Sequence, residues 1–162
     1  MIRLETKTKT LGRVKTVSIA NMVLRWCRSN MGVNRRKKYQ PVWVIRKGYD
    51  DGLCGEYDAD DNELHIYWDN IDTVKELIET CVHEWQHQLQ PILTRYYKFD
   101  GTYRSNPYEK AARKAERELT PVCWAYINKR LNKKTNEQSN RSIRTRRSSI
   151  NEKTERVKGR KA

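Results

Sequence analysis

Residues 72 to 90 constrain this chain more than any other stretch. Val74, Leu77, Ile78, Cys81, Val82, Trp85 and Leu89 recur at three- and four-residue intervals, which is the period of an amphipathic helix. Asp72 or Asn70 can cap its start, and Pro91 stops it. The same helix carries His83-Glu84-Trp85-Gln86-His87, and the whole chain has only three histidines. Residues four apart lie one turn apart on one face, with Cβ atoms about 5–6 Å from each other. Both imidazoles can therefore reach one metal ion at roughly 2.0–2.1 Å. Glu84 sits about 100° round the helix from His83 and cannot join as an equal ligand. It can reach a water on that metal, where a metallohydrolase needs its general base. The plainer reading is a surface helix with two partly exposed histidines. Against it, His83 and His87 border the apolar stripe rather than oppose it.

The rest of the chain offers a small core. It is 36% hydrophobic and 33% charged over 162 residues, which supports one domain with an appendage. Five Trp and nine Tyr compensate in part for scarce aliphatics, since each buried aromatic removes about 150–250 Å² from water. The net charge is +14, of which residues 129–162 carry +10 from thirteen Lys or Arg and three Glu. Residues 1–128 are thus expected to fold. Residues 129–162 are expected to be a basic tail, disordered or a fraying helical extension, able to hold nucleic acid without sequence preference. Cys27, Cys54, Cys81 and Cys123 form no CxxC pair, which argues against a cysteine-rich zinc site. Cys27, Cys81 and Cys123 fall in helical apolar patterns and read as core residues. Met1 to Lys15 does not resemble a signal peptide, and no apolar run approaches the roughly 18 residues of a membrane span. An intracellular, cytoplasmic protein without a membrane partner is expected.

In order, Met1 to Lys15 reads as a loose arm or an edge strand. Val17 to about Ser29 reads as a helix, and the run Asn34 to Lys38 as a solvated basic loop. Strands are expected at Tyr39–Arg46, Cys54–Tyr57 and Glu63–Trp68. Asp58-Ala59-Asp60-Asp61-Asn62 resembles the opening of a calcium loop, but Glu63 stands where the sharp turn needs Gly, so a hairpin loop is expected. Pro91 to Ser105 lacks periodicity and contains Tyr96, Tyr97, Phe99 and Tyr103. A second long helix begins at Asn106, with Pro107 in its first position and Glu109 in its third. Pro121 should kink or split it. The fold class is therefore α+β, a small antiparallel sheet packed on helices.

This order, with His83-Glu84-xx-His87 followed by Asn106-Pro107-Tyr108-Glu109-xx-Ala112, resembles the minimal zincin metallopeptidase core over about residues 55 to 118. It looks like the gluzincin-like branch, and in pattern it is similar to ImmA/IrrE-type peptidases and small phage-encoded zincins. SprT-like proteases are more distant, since no histidine follows His87. The resemblance implies Zn2+ held by two histidines and a glutamate of the following helix, and a protein or peptide substrate. It implies hydrolysis by a metal-activated water with Glu84 as base. Candidates for the oxyanion donor are Tyr103, Tyr96 and His65. The Glu63–Trp68 strand could lie along the cleft and pair with an extended substrate.

For the third ligand the downstream carboxylates are Asp100, Glu109, Glu116 and Glu118. Asp100 lies in an irregular loop. Glu118 lies about 180° from Glu109 around the helix. Glu109 and Glu116 share a face about 10 Å apart along the axis, so only one can bind directly. Glu109 is assigned, with Glu116 and Asp100 as alternatives; a capping box with Asn106 would also account for Glu109. Two other classes stay open. One is a nucleic-acid-associated protein working through its basic tail, with a structural or inactive metal site. The other is a virion or scaffold protein that keeps the site without activity.

Overall fold

The computed structural model describes residues 2–49, 52–91 and 106–158, with side chains to residue 133. The fold is α+β, in the order α1 (Thr8–Asn30), β1 (Val42–Arg46), β2 (Gly55–Asp58), β3 (Glu63–Tyr67), α2 (Val74–Leu89) and α3 (Pro107–Lys158). The chain divides into a unit Ile2–Ile127 and a second unit from Asn128 on. Among the described residues, no helix is long and apolar enough to cross a membrane.

α1 begins nine residues before the apolar pattern does, where an arm or edge strand was expected. Tertiary hydrogen bonds override weak local propensity there. Thr8 is buried, its N–H donates to the Asp72 carbonyl at 3.0 Å, and its hydroxyl donates to the Ile71 carbonyl. Val74 N–H donates in turn to the Thr6 carbonyl at 3.0 Å. Gly12, at φ 71° and ψ 167°, breaks the helical geometry, a conformation that costs glycine little. Beyond it Ile19, Ala20, Val23, Leu24 and Cys27 are fully buried, and α1 packs on α2.

The sheet is mixed rather than antiparallel. Its order is β1-β3-β2; β3 pairs antiparallel with β2 and parallel with β1. The chain leaves β1, crosses to form β2, and returns through a hairpin that inserts β3 between them. Alternation shows which face of a strand is buried, but not which neighbour it takes. Leu64 and Ile66 are fully buried on the helix side. Glu63 and His65 point to the other face, with Val42 and Val44 of β1. The Asp58–Asn62 connection is a hairpin loop: Asp58 Oδ1 accepts from the Asp60 and Asp61 N–H groups at 2.9 and 3.3 Å. Asn62 takes a positive φ of 55°, which asparagine tolerates in turns.

Thr73, not Asp72 or Asn70, caps α2. Its hydroxyl accepts from Glu76 N–H at 3.2 Å, while Glu76 Oε2 accepts from Asp72 N–H at 2.6 Å, a capping-box arrangement displaced by one residue. Trp85 is fully buried. Its Nε1–H donates to the Gly32 carbonyl at 2.9 Å, and it meets Trp43 edge-on with centroids 6.0 Å apart. α3 opens with Asn106 Oδ1 accepting from Tyr108 N–H at 2.9 Å. Pro121 lies inside α3 without splitting it. It is exposed, so water can satisfy the carbonyl that loses its helical donor. Beyond Leu131 the backbone is helical to Lys158. No Gly or Pro interrupts residues 122–158.

Candidate metal centre

α2 and the first turns of α3 bring His83, His87 and Glu109 together. His83 and His87, one turn apart, place their Nε2 atoms 3.0 Å from each other. Glu109 is 1% exposed. Its Oε2 lies 3.4 Å from His83 Nε2 and its Oε1 lies 3.3 Å from His87 Nε2. The two Nε2 atoms thus stand 3.0 Å apart, and each faces its own oxygen of the Glu109 carboxylate at 3.3–3.4 Å. Ligands at 2.0–2.1 Å from a tetrahedral zinc stand about 3.3 Å apart, so the donors already have the spacing that such an ion requires.

The other nitrogen of each imidazole is engaged. His83 Nδ1 is hydrogen-bonded to the Glu116 carboxylate. A carboxylate can only accept, so this contact puts the proton on Nδ1. His87 Nδ1 lies 2.9 Å from Gln90 Oε1, while Gln90 Nε2 donates to the Tyr108 carbonyl at 2.9 Å. That second bond fixes the amide, so its oxygen faces His87 and again places the proton on Nδ1. Both Nε2 atoms then present lone pairs toward each other and toward a carboxylate. Acceptors converging in this way are mutually repulsive unless a cation, a proton or a metal ion, lies among them.

Glu116 is thereby placed behind His83 rather than among the three converging side chains. Glu118 is exposed and lies 3.9 Å from Lys114, away from the cluster. Arg113, one turn beyond Glu109, brings its guanidinium to 3.9 Å from Glu109 Oε2. Asp100, Tyr96 and Tyr103 lie outside the described residues. His65 is not brought to the cluster: it stacks on Tyr67, lies 3.5 Å from Glu63, and alternates with Leu64 and Ile66 so that it faces away from α2.

Glu84 is 8% exposed. Its neighbour across the helix–sheet contact is Gly55 of β2, where an added Cβ would lie 3.1 Å from Glu84 Cγ. Burial pushes the Glu84 carboxyl up to about 7; His83 opposes the shift, while Glu109, Glu56 and Glu116 add to it. For His83, burial favours the neutral ring, but Glu116, Glu84 and Glu109 outweigh it and hold the pKa above the usual value. His87 is lowered, chiefly by burial.

Sequence reasoning missed Gln90. Its signal was position: a polar residue three beyond His87 and directly before the helix-stopping Pro91. It also missed that β2, not β3, is the outer strand beside Glu84. β3 is central, so the strand expected along the cleft has no free edge. Comparison with family models, curated proteins and solved structures finds no match to this chain.

Proposed function

We propose that the protein is an intracellular zinc-dependent peptidase, in which His83, His87 and Glu109 hold the metal and Glu84 is the general base. The observation that carries this reading is the convergence of two half-buried imidazole Nε2 atoms and the buried Glu109 carboxylate at 3.0–3.4 Å, with both Nδ1 atoms engaged elsewhere. Two imidazoles and one carboxylate suit zinc and match the three-ligand sets of catalytic sites, which keep a position for water. Zinc there would lower the pKa of a bound water towards about 7 and polarise a carbonyl.

The remaining work falls to the chain. Glu84 takes the proton of the attacking water and passes it to the leaving amine. Glu116 and Gln90 keep each imidazole in the tautomer and orientation that aim Nε2 at the ion. β2 pairs only with β3 among the described residues. Its outer edge, beside Glu84 at Gly55, is where an extended peptide would add as a further strand. Peptide-library cleavage by the wild-type protein and by Glu84→Gln tests the reading. Hydrolysis should vanish in the variant while zinc content stays at one per chain. Equal rates in the two proteins would remove Glu84 from that role, and cleavage by neither would remove the peptidase.

A further inference from the structure

Charge is segregated along the folded unit. Residues 6–49, which supply α1, the following loop and β1, hold twelve Lys or Arg and no Asp or Glu. At the chain's overall frequency about five acids would fall there. Residues 50–84, which supply β2, β3 and most of α2, hold twelve Asp or Glu and a single Lys.

Among the described residues the fold leaves most cations of the first segment without an ion pair. Lys7 is paired with Asp72 at 2.7 Å. Lys37 donates to the Ala59 carbonyl and Arg46 to the Tyr67 hydroxyl. Lys9, Arg13, Arg25, Arg28, Arg35 and Arg36 are exposed, and none forms an ion pair among the described residues. α1 turns its apolar face to α2; Arg25 and Arg28 lie off that face, while Lys9 and Arg13 are exposed on either side of the break at Gly12. Arg28 donates to Gln40 Oε1 at 3.4 Å, which ties the end of α1 to the chain entering β1. From Arg13 to Arg28 the helix rises about 22 Å. Cations spread over that length match a polymer of regularly spaced charges, not a small anion.

We propose that this acid-free lobe is a docking face for the sugar–phosphate backbone of a nucleic acid, bound without sequence preference. Half of its twelve cations are Arg, whose fork fits phosphate oxygens. Thr10, Ser18, Ser29 and Asn30 are exposed on the same helix and can donate to phosphate. An anionic membrane surface fits less well. A helix lying in a membrane needs an apolar stripe on its outer face, and the exposed large apolar residue of α1 is Val14 alone. The acid-rich segment, which carries the metal-centre helix, is repelled by the same polyanion. Docking therefore orients the molecule with α1 toward the nucleic acid. This inference does not depend on the peptidase reading.

The test uses the full chain and a labelled 30-base-pair duplex of random sequence, with binding followed by fluorescence anisotropy from 50 to 300 mM salt. Neutralising four lobe cations (Arg25→Gln, Arg28→Gln, Arg35→Gln and Arg36→Gln together) should weaken binding at least tenfold at 150 mM salt. It should also reduce the slope of log K against log salt by about 2–4, since each phosphate contact contributes about 0.9. Arg35→Gln with Arg36→Gln alone, in a loop that cannot unfold α1, should reduce the slope by about 1–2. The inference is overturned if both variants keep the wild-type slope while neutralising Arg141, Arg144, Arg146 and Arg147 abolishes binding. It is equally overturned if the wild-type protein ignores the duplex, or if it prefers vesicles of phosphatidylserine and phosphatidylcholine.

Discussion

Gly55→Ala should damage stability and site geometry together. An added Cβ would stand 2.7 Å from Thr80 Cγ2, 3.1 Å from Glu84 Cγ and 3.1 Å from the His65 carbonyl oxygen. Carbon atoms pack comfortably at about 3.5–4.0 Å, so β2 and α2 must part by up to about 1 Å. No neighbour yields easily: Thr80 is β-branched and stiff within a helix, and the His65 carbonyl belongs to the sheet backbone. Overpacking of this kind costs about 1–3 kcal/mol. For a unit of this size that lowers Tm by roughly 4–12 °C. A displacement near 1 Å beside a catalytic group can cost about 100-fold in rate. The assay is thermal melting of the wild type, Gly55→Ala, Thr80→Ser and the double variant. Thr80→Ser removes the methyl behind the shortest contact, so the double variant should recover much of the loss. A Gly55→Ala protein that melts with the wild type, or a double variant no better than Gly55→Ala, would refute the packing argument.

Glu109→Gln should weaken zinc affinity by orders of magnitude, and Glu116→Gln by about 10–100-fold, the usual effect of losing the group behind a metal-binding imidazole. Competition titration with a chelating dye separates them, and the reverse ranking would exchange their roles. Gln90→Leu should cost a similar 10–100-fold, because it frees His87 Nδ1 and leaves the Tyr108 carbonyl without the amide donor. Unchanged affinity would make Gln90 a bystander. In chelator-treated protein, Glu84 has a folded pKa near 7 against an ordinary 4.5. The stability it confers is complete below about pH 4.5 and is lost as pH rises through about 7. Glu84→Gln should therefore gain stability over the wild type across that interval, by up to about 3 kcal/mol, and a pH-independent difference in denaturant midpoint would contradict this.

The helix that carries His83 and His87 was legible because helical period, cap and histidine spacing all lie within one local segment. Thr73 took the cap from its neighbours Asp72 and Asn70 because the hydroxyl three residues before Glu76 closes the box. Glu109 emerged from the helix start at Asn106 and from elimination of the other carboxylates. The part played by Glu116 did not, because two turns of helix separate it from Glu109 and only the meeting of α2 with α3 puts it behind His83. Strand positions followed from alternation, while the parallel pairing of β1 with β3 did not. That pairing is set by where the chain crosses between β1 and β2, and alternation is silent on it. The early start of α1 was hidden for a related reason: Thr6, Lys7 and Thr8 are held by the Ile71–Val74 backbone, contacts with partners more than sixty residues away.

X-ray absorption at the zinc edge of the purified full chain, with metal content measured on the same sample, tests the central claim most directly. The account predicts one zinc per chain, surrounded by nitrogen and oxygen at roughly 2.0–2.1 Å with the multiple-scattering signature of two imidazoles. It also predicts that this signature is lost in His83→Ala and His87→Ala. Sulfur at about 2.3 Å would place the metal on the cysteines instead. A protein that neither retains nor takes up stoichiometric metal would contradict the account outright.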